Sequence, residues 1–222
     1  MNRVVVITGA TGALGNKTAH AFAERGHPLA LLDNDPSKLD SLVRGLNLPD
    51  ERLLTSIVDL RHGQAVRSTA EAVSAKFGAV HALIHLVGGL TGGRTLAEAG
   101  EDELNSMLSQ HVWTTFHLFH SFSPMLAASG WGRVITVSPS TVANPPVKRG
   151  VYTASKAAQE NLVLTLAAEL KPSGVTANII QVHAIDAEGK GTGTKPGEIV
   201  AAMLYLFSDE AGKVTGARIP LY

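Results

Sequence analysis

The chain contains no cysteine. Disulfide frameworks and cysteine-ligated metals are thereby excluded. Aromatic residues are scarce at 5%, so a core has to be assembled mainly from Ala, Val, Leu and Ile. Such cores suit parallel sheets covered by helices on both faces. Neither charge sign is in surplus: Lys plus Arg and Asp plus Glu both total 19. That balance leaves no footprint for nucleic acid or an anionic lipid surface. No run approaches the ~20 apolar residues that span a bilayer. The start, MNRVVVITGA, reaches glycine too soon for a signal peptide. Nucleic-acid and membrane partners are therefore not expected, and the cytoplasm is the expected location. No His, Asp and Glu grouping has metal-site spacing, so no metal is expected.

What is present is a regular alternation. The 222 residues are 45% hydrophobic and 17% charged, which fits one globular domain over residues 1–222. Apolar, β-branched runs at residues 4–8, 29–32, 53–58, 80–87, 133–137, 175–182 and 217–221 read as strands. Helical patterns lie between them, including 36–46, 65–77, a long one at 101–128, 152–170 and 199–207. Strands alternating with helices through short links imply an α/β fold: a doubly wound, Rossmann-type parallel sheet of about seven strands. A Gly/Thr/Lys stretch within 183–197 is the expected substrate loop and the best candidate for a mobile segment.

The first strand runs directly into TGATGALG. Gly9, Gly12 and Gly15 have the spacing G-x-x-G-x-x-G, with Thr11, Ala13 and Leu14 between them. Glycine at this place lets the backbone turn sharply and approach a pyrophosphate at a helix N-terminus. A tight strand-to-helix turn is the plainer reading, and the position after the first strand outweighs it. Asp33 ends the second strand, where an acid accepts hydrogen bonds from the adenosine ribose and repels a 2′-phosphate. NAD is therefore favoured over NADP. Asp59, with Leu60, closes the third strand; it suits either the adenine amino group or a helix cap. Val87, Gly88 and Gly89 close the fourth strand, beside the first, where small residues leave room for a cofactor.

Tyr152 and Lys156 stand four apart in VYTASKAAQE and share one helix face. A phenol is a poor acid–base group near neutrality, and a neighbouring ammonium lowers its pKa. The pair can then shuttle a proton to or from a carbonyl or alcohol oxygen while a hydride moves to or from nicotinamide. Lys156 can also hold the nicotinamide ribose.

These elements, with GRVITVS and the Asp59-Leu60 pair, occur in the order and approximate spacing of the short-chain dehydrogenases/reductases, which the chain resembles over essentially its whole length. The resemblance implies a seven-stranded parallel sheet, a nicotinamide cofactor contacted also by Ile185, and a homodimer or homotetramer. It also exposes departures. The Asn-Asn-Ala-Gly of the family is His85, Leu86, Val87, Gly88 here. The family's catalytic Asn falls on His111, and its catalytic Ser on Pro139, between Ser138 and Ser140. Either serine is a candidate partner for the substrate oxygen; Ser138 is favoured because it extends the strand. His111 is a candidate polar partner or a helix-seam residue. His183 is a candidate cavity-border or ordinary loop residue. The shortened substrate loop implies an open pocket.

The expected activity is NAD(H)-dependent hydride transfer to or from a small carbonyl or alcohol substrate. GALG, LVGGLTGG and Trp113-Thr114 also resemble the dihydropteridine reductase branch, which keeps the Tyr and Lys but does without the usual Ser. A dihydropteridine-type or quinone reductase, and a non-catalytic dinucleotide-binding sensor, are the alternatives. The apolar residues Ala157, Ala158, Leu162, Leu166 and Ala167, with those of 101–128, are the expected oligomer surface.

Overall fold

The structure, a computed structural model, describes residues 2–222. Its elements are β1 (Val5–Thr8), α1 (Ala13–Glu24), β2 (Leu29–Asp33), α2 (Pro36–Leu46), β3 (Leu53–Ile57), α3 (Gly63–Phe77), β4 (Ala82–His85), α4 (Glu101–Leu108), α5 (Thr114–Ala128), β5 (Gly132–Pro139), α6 (Gly150–Leu170), β6 (Val175–Val182), α7 (Pro196–Phe207) and β7 (Arg218–Pro220). The seven strands form one sheet in the order β3-β2-β1-β4-β5-β6-β7. Every pairing is parallel. The order reverses between β1 and β4, which opens a crevice at the strand C-termini, where ligands bind in such sheets.

Strand alternation divides the core into two layers. Val5, Ile7, Leu29, Leu31, Ile84 and Ile135 face α1, α2 and α7, with Phe22 and Met203 filling the layer. Val6, Leu32, Leu83, Val134 and Ile179 face α3, α5 and α6, against Val66, Phe122 and Val163. Fully burying one such side chain contributes roughly 1.5–3 kcal/mol.

Helix boundaries follow their capping chemistry. The Asp35 carboxylate accepts from the Lys38 amide at the start of α2, and Pro36 occupies its first turn. Gly78, at φ +73°, stops α3. The long helix expected over 101–128 is not a uniform α-helix. A π-helical turn at Ser109–Trp113 separates α4 from α5, and such turns concentrate at functional sites. Strand β5 runs two residues beyond the expected 133–137, so Ser138 and Pro139 are paired strand residues opposite Gln181 and Val182. The outer surface of α6 is also narrower than expected. Leu166 and Ala167 are buried in the core, whereas Ala157 is exposed.

Candidate active site

Two clefts meet at the crevice. The first, of 590 Å³, is lined by Gly9, Gly12, Ala13, Leu14 and Gly15 on one side and by Ser138, Tyr152 and Lys156 on the other. The second, of 780 Å³, is lined by Thr11, Asp33, Asp59 and Leu60. Gly9, Gly12, Val87 and Gly88 line both. Gly89 and Ile185 belong to the first. The structure thus gathers every expected cofactor residue along one groove.

The three glycines act differently. Gly9 has φ +66°, which β-carbon-bearing residues rarely adopt. A Cβ on Gly15 would lie 2.1 Å from the Gly9 carbonyl oxygen, so this glycine lets α1 pack onto the strand turn. A Cβ on Gly12 would meet only that same oxygen, at 3.4 Å, and would otherwise project into the groove. The cradle therefore fits the pyrophosphate of a dinucleotide: a turn, an open approach and a close helix–strand contact.

On the second cleft's wall, the Asp33 carboxylate accepts from the backbone amides of Thr11 (2.9 Å), Asn34 (2.8 Å) and Asp35 (3.2 Å). Those bonds hold it at the cleft edge. Asp59 is gripped by Arg61 through both carboxylate oxygens, at 2.9 and 2.6 Å, which lowers its pKa to about 2. Arg61 and Lys38 were not singled out from sequence. They are the cleft's two lysine or arginine side chains, against the carboxylates of Asp33, Asp35, Asp59 and Asp102. Both cations are paired, Arg61 to Asp59 and Lys38 to Asp35.

In the first cleft, Tyr152 and Lys156 stand on consecutive turns of α6. The Lys156 ammonium donates to the Val137 carbonyl (2.9 Å) and to Gln159 Oε1 (2.6 Å). Burial lowers its pKa to about 8, opposed by the Glu160 charge. Tyr152 departs from the sequence expectation. Burial raises its pKa, and the cation that opposes this is Arg149 rather than Lys156. The Lys156 ammonium has Val137 and Gln159 as its hydrogen-bond partners rather than the Tyr152 hydroxyl.

Ser138 and Ser140 separate clearly. Ser138 lines the cleft, is 2% exposed, and its Oγ has no hydrogen-bond partner. Ser140 is engaged with His183 Nδ1 at 2.6 Å, and the His183 ring packs on Tyr222. Pro139 and His183 contribute to the cleft wall.

His111 is fully buried behind the cleft and is not among its lining residues. Its Nε2 accepts from the Gly89 amide (3.4 Å), so Nδ1 is assigned the proton and donates to Ser155 Oγ (2.8 Å). Ser155 in turn donates to the Tyr152 carbonyl. The His111 ring meets Tyr152 edge-on at 5.6 Å. It thus supports the turn that carries Tyr152. Burial first, then the Lys156 charge, lowers its pKa to about 4.

Gln159 escaped sequence reading. It is 2% exposed and bridges Lys156 to Thr115 Oγ1, to which its amide donates at 2.8 Å. A buried glutamine one turn beyond the lysine was the available signal. The loop after β6 is tied by hydrogen bonds that its composition does not announce. The Asp186 carboxylate accepts from the amides of Lys190 (2.8 Å) and Gly191 (2.7 Å), and Thr194 bonds the Leu221 carbonyl. Ile185 and Ala187 from this loop help wall the cleft.

The short chain dehydrogenase family model matches residues 3–195. The chain belongs to the short-chain dehydrogenase/reductase family. This family of oxidoreductases carries out hydride transfer with nicotinamide dinucleotides. The chain is similar to 2,3-dihydro-2,3-dihydroxybenzoate dehydrogenase of Bacillus subtilis, 24% identical over 96% of this chain and 92% of that protein. A solved NADPH-bound short-chain oxidoreductase from Pseudomonas aeruginosa PAO1, containing an atypical catalytic centre, superposes with a TM-score of 0.91 at 24% identity, covering 98% and 94% of the two chains. An NAD+-bound xylitol dehydrogenase gives 0.84 at 22%, covering 99% and 97%. Both structural likenesses bear on the fold. Among the described residues, no helix is long and apolar enough to cross a membrane, and no group of three or more His, Asp or Glu could hold a metal ion.

Proposed function

We propose that the protein is an NAD(H)-dependent reductase or dehydrogenase acting on a small carbonyl or alcohol. The observation that carries this reading is the continuity of the groove: Tyr152, Lys156 and Ser138 line the same cleft as Gly12, and it passes into the acidic cleft of Asp33. A bound nicotinamide supplies or accepts the hydride. The chain's own residues do the rest. Burial keeps Tyr152 a neutral phenol, ready to give its proton to a carbonyl oxygen. Ser138 also lines this cleft, but its Oγ is buried and without a protein partner, so it reaches that oxygen only by turning toward the cleft. Lys156 is charged below about pH 8 and holds the nicotinamide ribose.

Four carboxylates against two paired cations favour a free 2′-hydroxyl over a 2′-phosphate. NADH and NADPH fluorescence titration tests this: tighter NADPH binding would overturn the NAD assignment. A carbonyl, quinone and quinonoid-pteridine panel, followed by NADH consumption, tests the chemistry. NADH binding without turnover of any compound would replace the enzyme reading with the sensor one.

A dihydropteridine-type or quinone reductase is a second reading. It is favoured by Pro139, which offers the cleft no hydrogen-bond donor where the family has serine. Ser138→Ala separates the two. It should strongly impair carbonyl reduction and leave pteridine reduction nearly intact.

Self-association is also proposed. Leu104, Trp113 and Phe116 are exposed on α4, the π-turn and α5, and Ala154, Ala157 and Ala168 on α6. A monomer by light scattering at micromolar concentration would reject it.

A further inference from the structure

The catalytic cleft carries a charge signature that the hydride-transfer reading does not use. Its Asp, Glu, Lys and Arg lining residues number two, Lys156 and Arg149, and both are cations. Lys156 is buried and committed to Val137 and Gln159. Arg149 is exposed to the cleft, and no carboxylate lies within salt-bridge distance of its guanidinium among the described residues.

Its position is built rather than loose. Arg149 immediately precedes α6 as its N-cap, three residues before Tyr152, and both residues line the cleft. A Cβ added to Gly92 would lie 3.1 Å from Arg149 Cδ, so the glycine there leaves the arginine stem its place. The Gly93 amide donates to the Lys148 carbonyl at 2.9 Å, tying this turn to the 92–93 strip. The Arg149 charge is also the one that reaches the Tyr152 phenol. Leu90, Pro146 and Ile185 supply an apolar wall beside it.

We propose that the substrate is a small oxo acid or hydroxy acid, and that Arg149 receives its carboxylate while Tyr152 meets its reacting oxygen. This rests on the hydride-transfer reading and names the substrate class for that site. Arg149 and Tyr152 on one cleft suit a substrate that carries its carboxylate near the carbonyl, as a 2-oxo or 3-oxo acid does. A guanidinium presents paired N–H donors that match a carboxylate's two oxygens. The carboxylate takes no part in the redox step. The carbonyl gains one hydride from the dihydronicotinamide and one proton from Tyr152, and becomes the alcohol.

The test compares 2-oxo and 3-oxo acids with their methyl esters, with NADH as donor. Wild-type protein should prefer the acid by about 10-fold or more in kcat/KM, the range of a hydrogen bond to a charged group. Arg149→Ala should bring the acid-to-ester ratio close to one, Arg149→Lys should keep part of it, and Arg149→Glu should invert it. Rising salt should raise KM for the acids and leave that of the esters unmoved. Esters or neutral ketones preferred by the wild type, or a ratio unchanged in Arg149→Ala, overturn the inference while leaving the oxidoreductase reading standing. A preference confined to phosphorylated ketones overturns the carboxylate assignment. Binding supplies a readout apart from turnover. NADH-loaded protein should bind oxamate more tightly than its neutral amide, and Arg149→Ala should abolish the difference. NADH-loaded protein that binds both alike overturns the inference, even where no substrate is turned over.

Discussion

The two ends of the groove are electrostatic opposites. The adenosine end is lined by Asp33, Asp35, Asp59 and Asp102 against two cations that are already paired. The catalytic end has Lys156 and Arg149 and no carboxylate. The ends also differ in how their polar groups are satisfied. Asp33 and Asp59 are held in place by backbone amides and an arginine fork, so the adenosine end is complete by itself. At the catalytic end, Ser138 Oγ is buried without a partner. An unmet buried hydroxyl costs free energy, so the catalytic end, unlike the other, is left with an unsatisfied polar group. On the proposed reading, the first end selects the cofactor and the second receives the substrate.

The largest effect should come from the catalytic end. Tyr152→Phe removes only the hydroxyl, and turnover should fall ~10²–10⁴-fold. NADH titration should be nearly unchanged, because the ring and its edge contact with His111 persist. Retained turnover would mean that the proton comes from another group. The glycine loop gives the next break. Gly12→Val should fill the groove and abolish NADH binding with little change in melting temperature, since its Cβ meets no atom nearer than 3.4 Å. Gly15→Val should unfold the protein instead, because its Cβ would collide with the Gly9 carbonyl at 2.1 Å. Calorimetry and fluorescence titration on the pair separate ligand approach from packing.

The unequal legibility of the two ends has the same physical origin. The adenosine end is local in sequence: a strand, a glycine turn and an acid at the next strand's tip. Periodicity and spacing expose all three, and the seven-stranded sheet follows from the same alternation. The catalytic end is assembled from residues far apart. Tyr152 and Lys156 were legible because they are four apart on one helix. Gln159 was not, since its meaning lies in Thr115 and Lys156 meeting it across a helix seam. Arg149 carries no motif, and its place became visible only in a cleft with no acid near it. The π-turn at Ser109–Trp113 was hidden because no glycine or proline marks it within the helical pattern.

Acid should loosen the catalytic end first. His111 and His85 are buried, with pKa values lowered from the ordinary 6.5 to about 4 and about 3. Desolvation dominates both shifts, followed by the Lys156 charge. A folded-state pKa below the unfolded value means that the unfolded chain binds more protons between the two. The stability is therefore complete above pH 6.5 and is lost as pH falls toward 4 and then 3. The loss should reach about 3 kcal/mol or more for His111. Urea unfolding at pH 7 and pH 4.5 measures it, and His111→Asn should flatten that dependence. An unchanged slope would show that another group governs acid stability.

The adenosine end should respond more mildly. Asp33→Ala removes the carboxylate nearest the start of α1 and should relax the NADH preference by about tenfold, the scale of one charged contact. Folding should hold, because the three amides that Asp33 accepts lie at the cleft edge. A preference that does not move would shift the discrimination to Asp59 and Asp35.

The smallest expected effect is also the sharpest on how the catalytic end stays cationic. Lys156 is charged below about pH 8, and Gln159 Oε1 accepts from it at 2.6 Å. Gln159→Leu removes a neutral acceptor from the charged form, at a cost of about 1 kcal/mol. The lysine pKa then falls further, by less than about one unit, and the alkaline limb of the kcat/KM profile moves down with it. Gln159→Glu places a carboxylate at the same distance, favours the ammonium, and should move that limb up. Both variants disturb the bond to Thr115, so a purely structural role would lower activity in each without moving the limbs apart. Opposite displacements identify Gln159 as a positioning residue acting through Lys156. Displacements in the same direction, or none, would leave the buried lysine governed by desolvation and Glu160 alone.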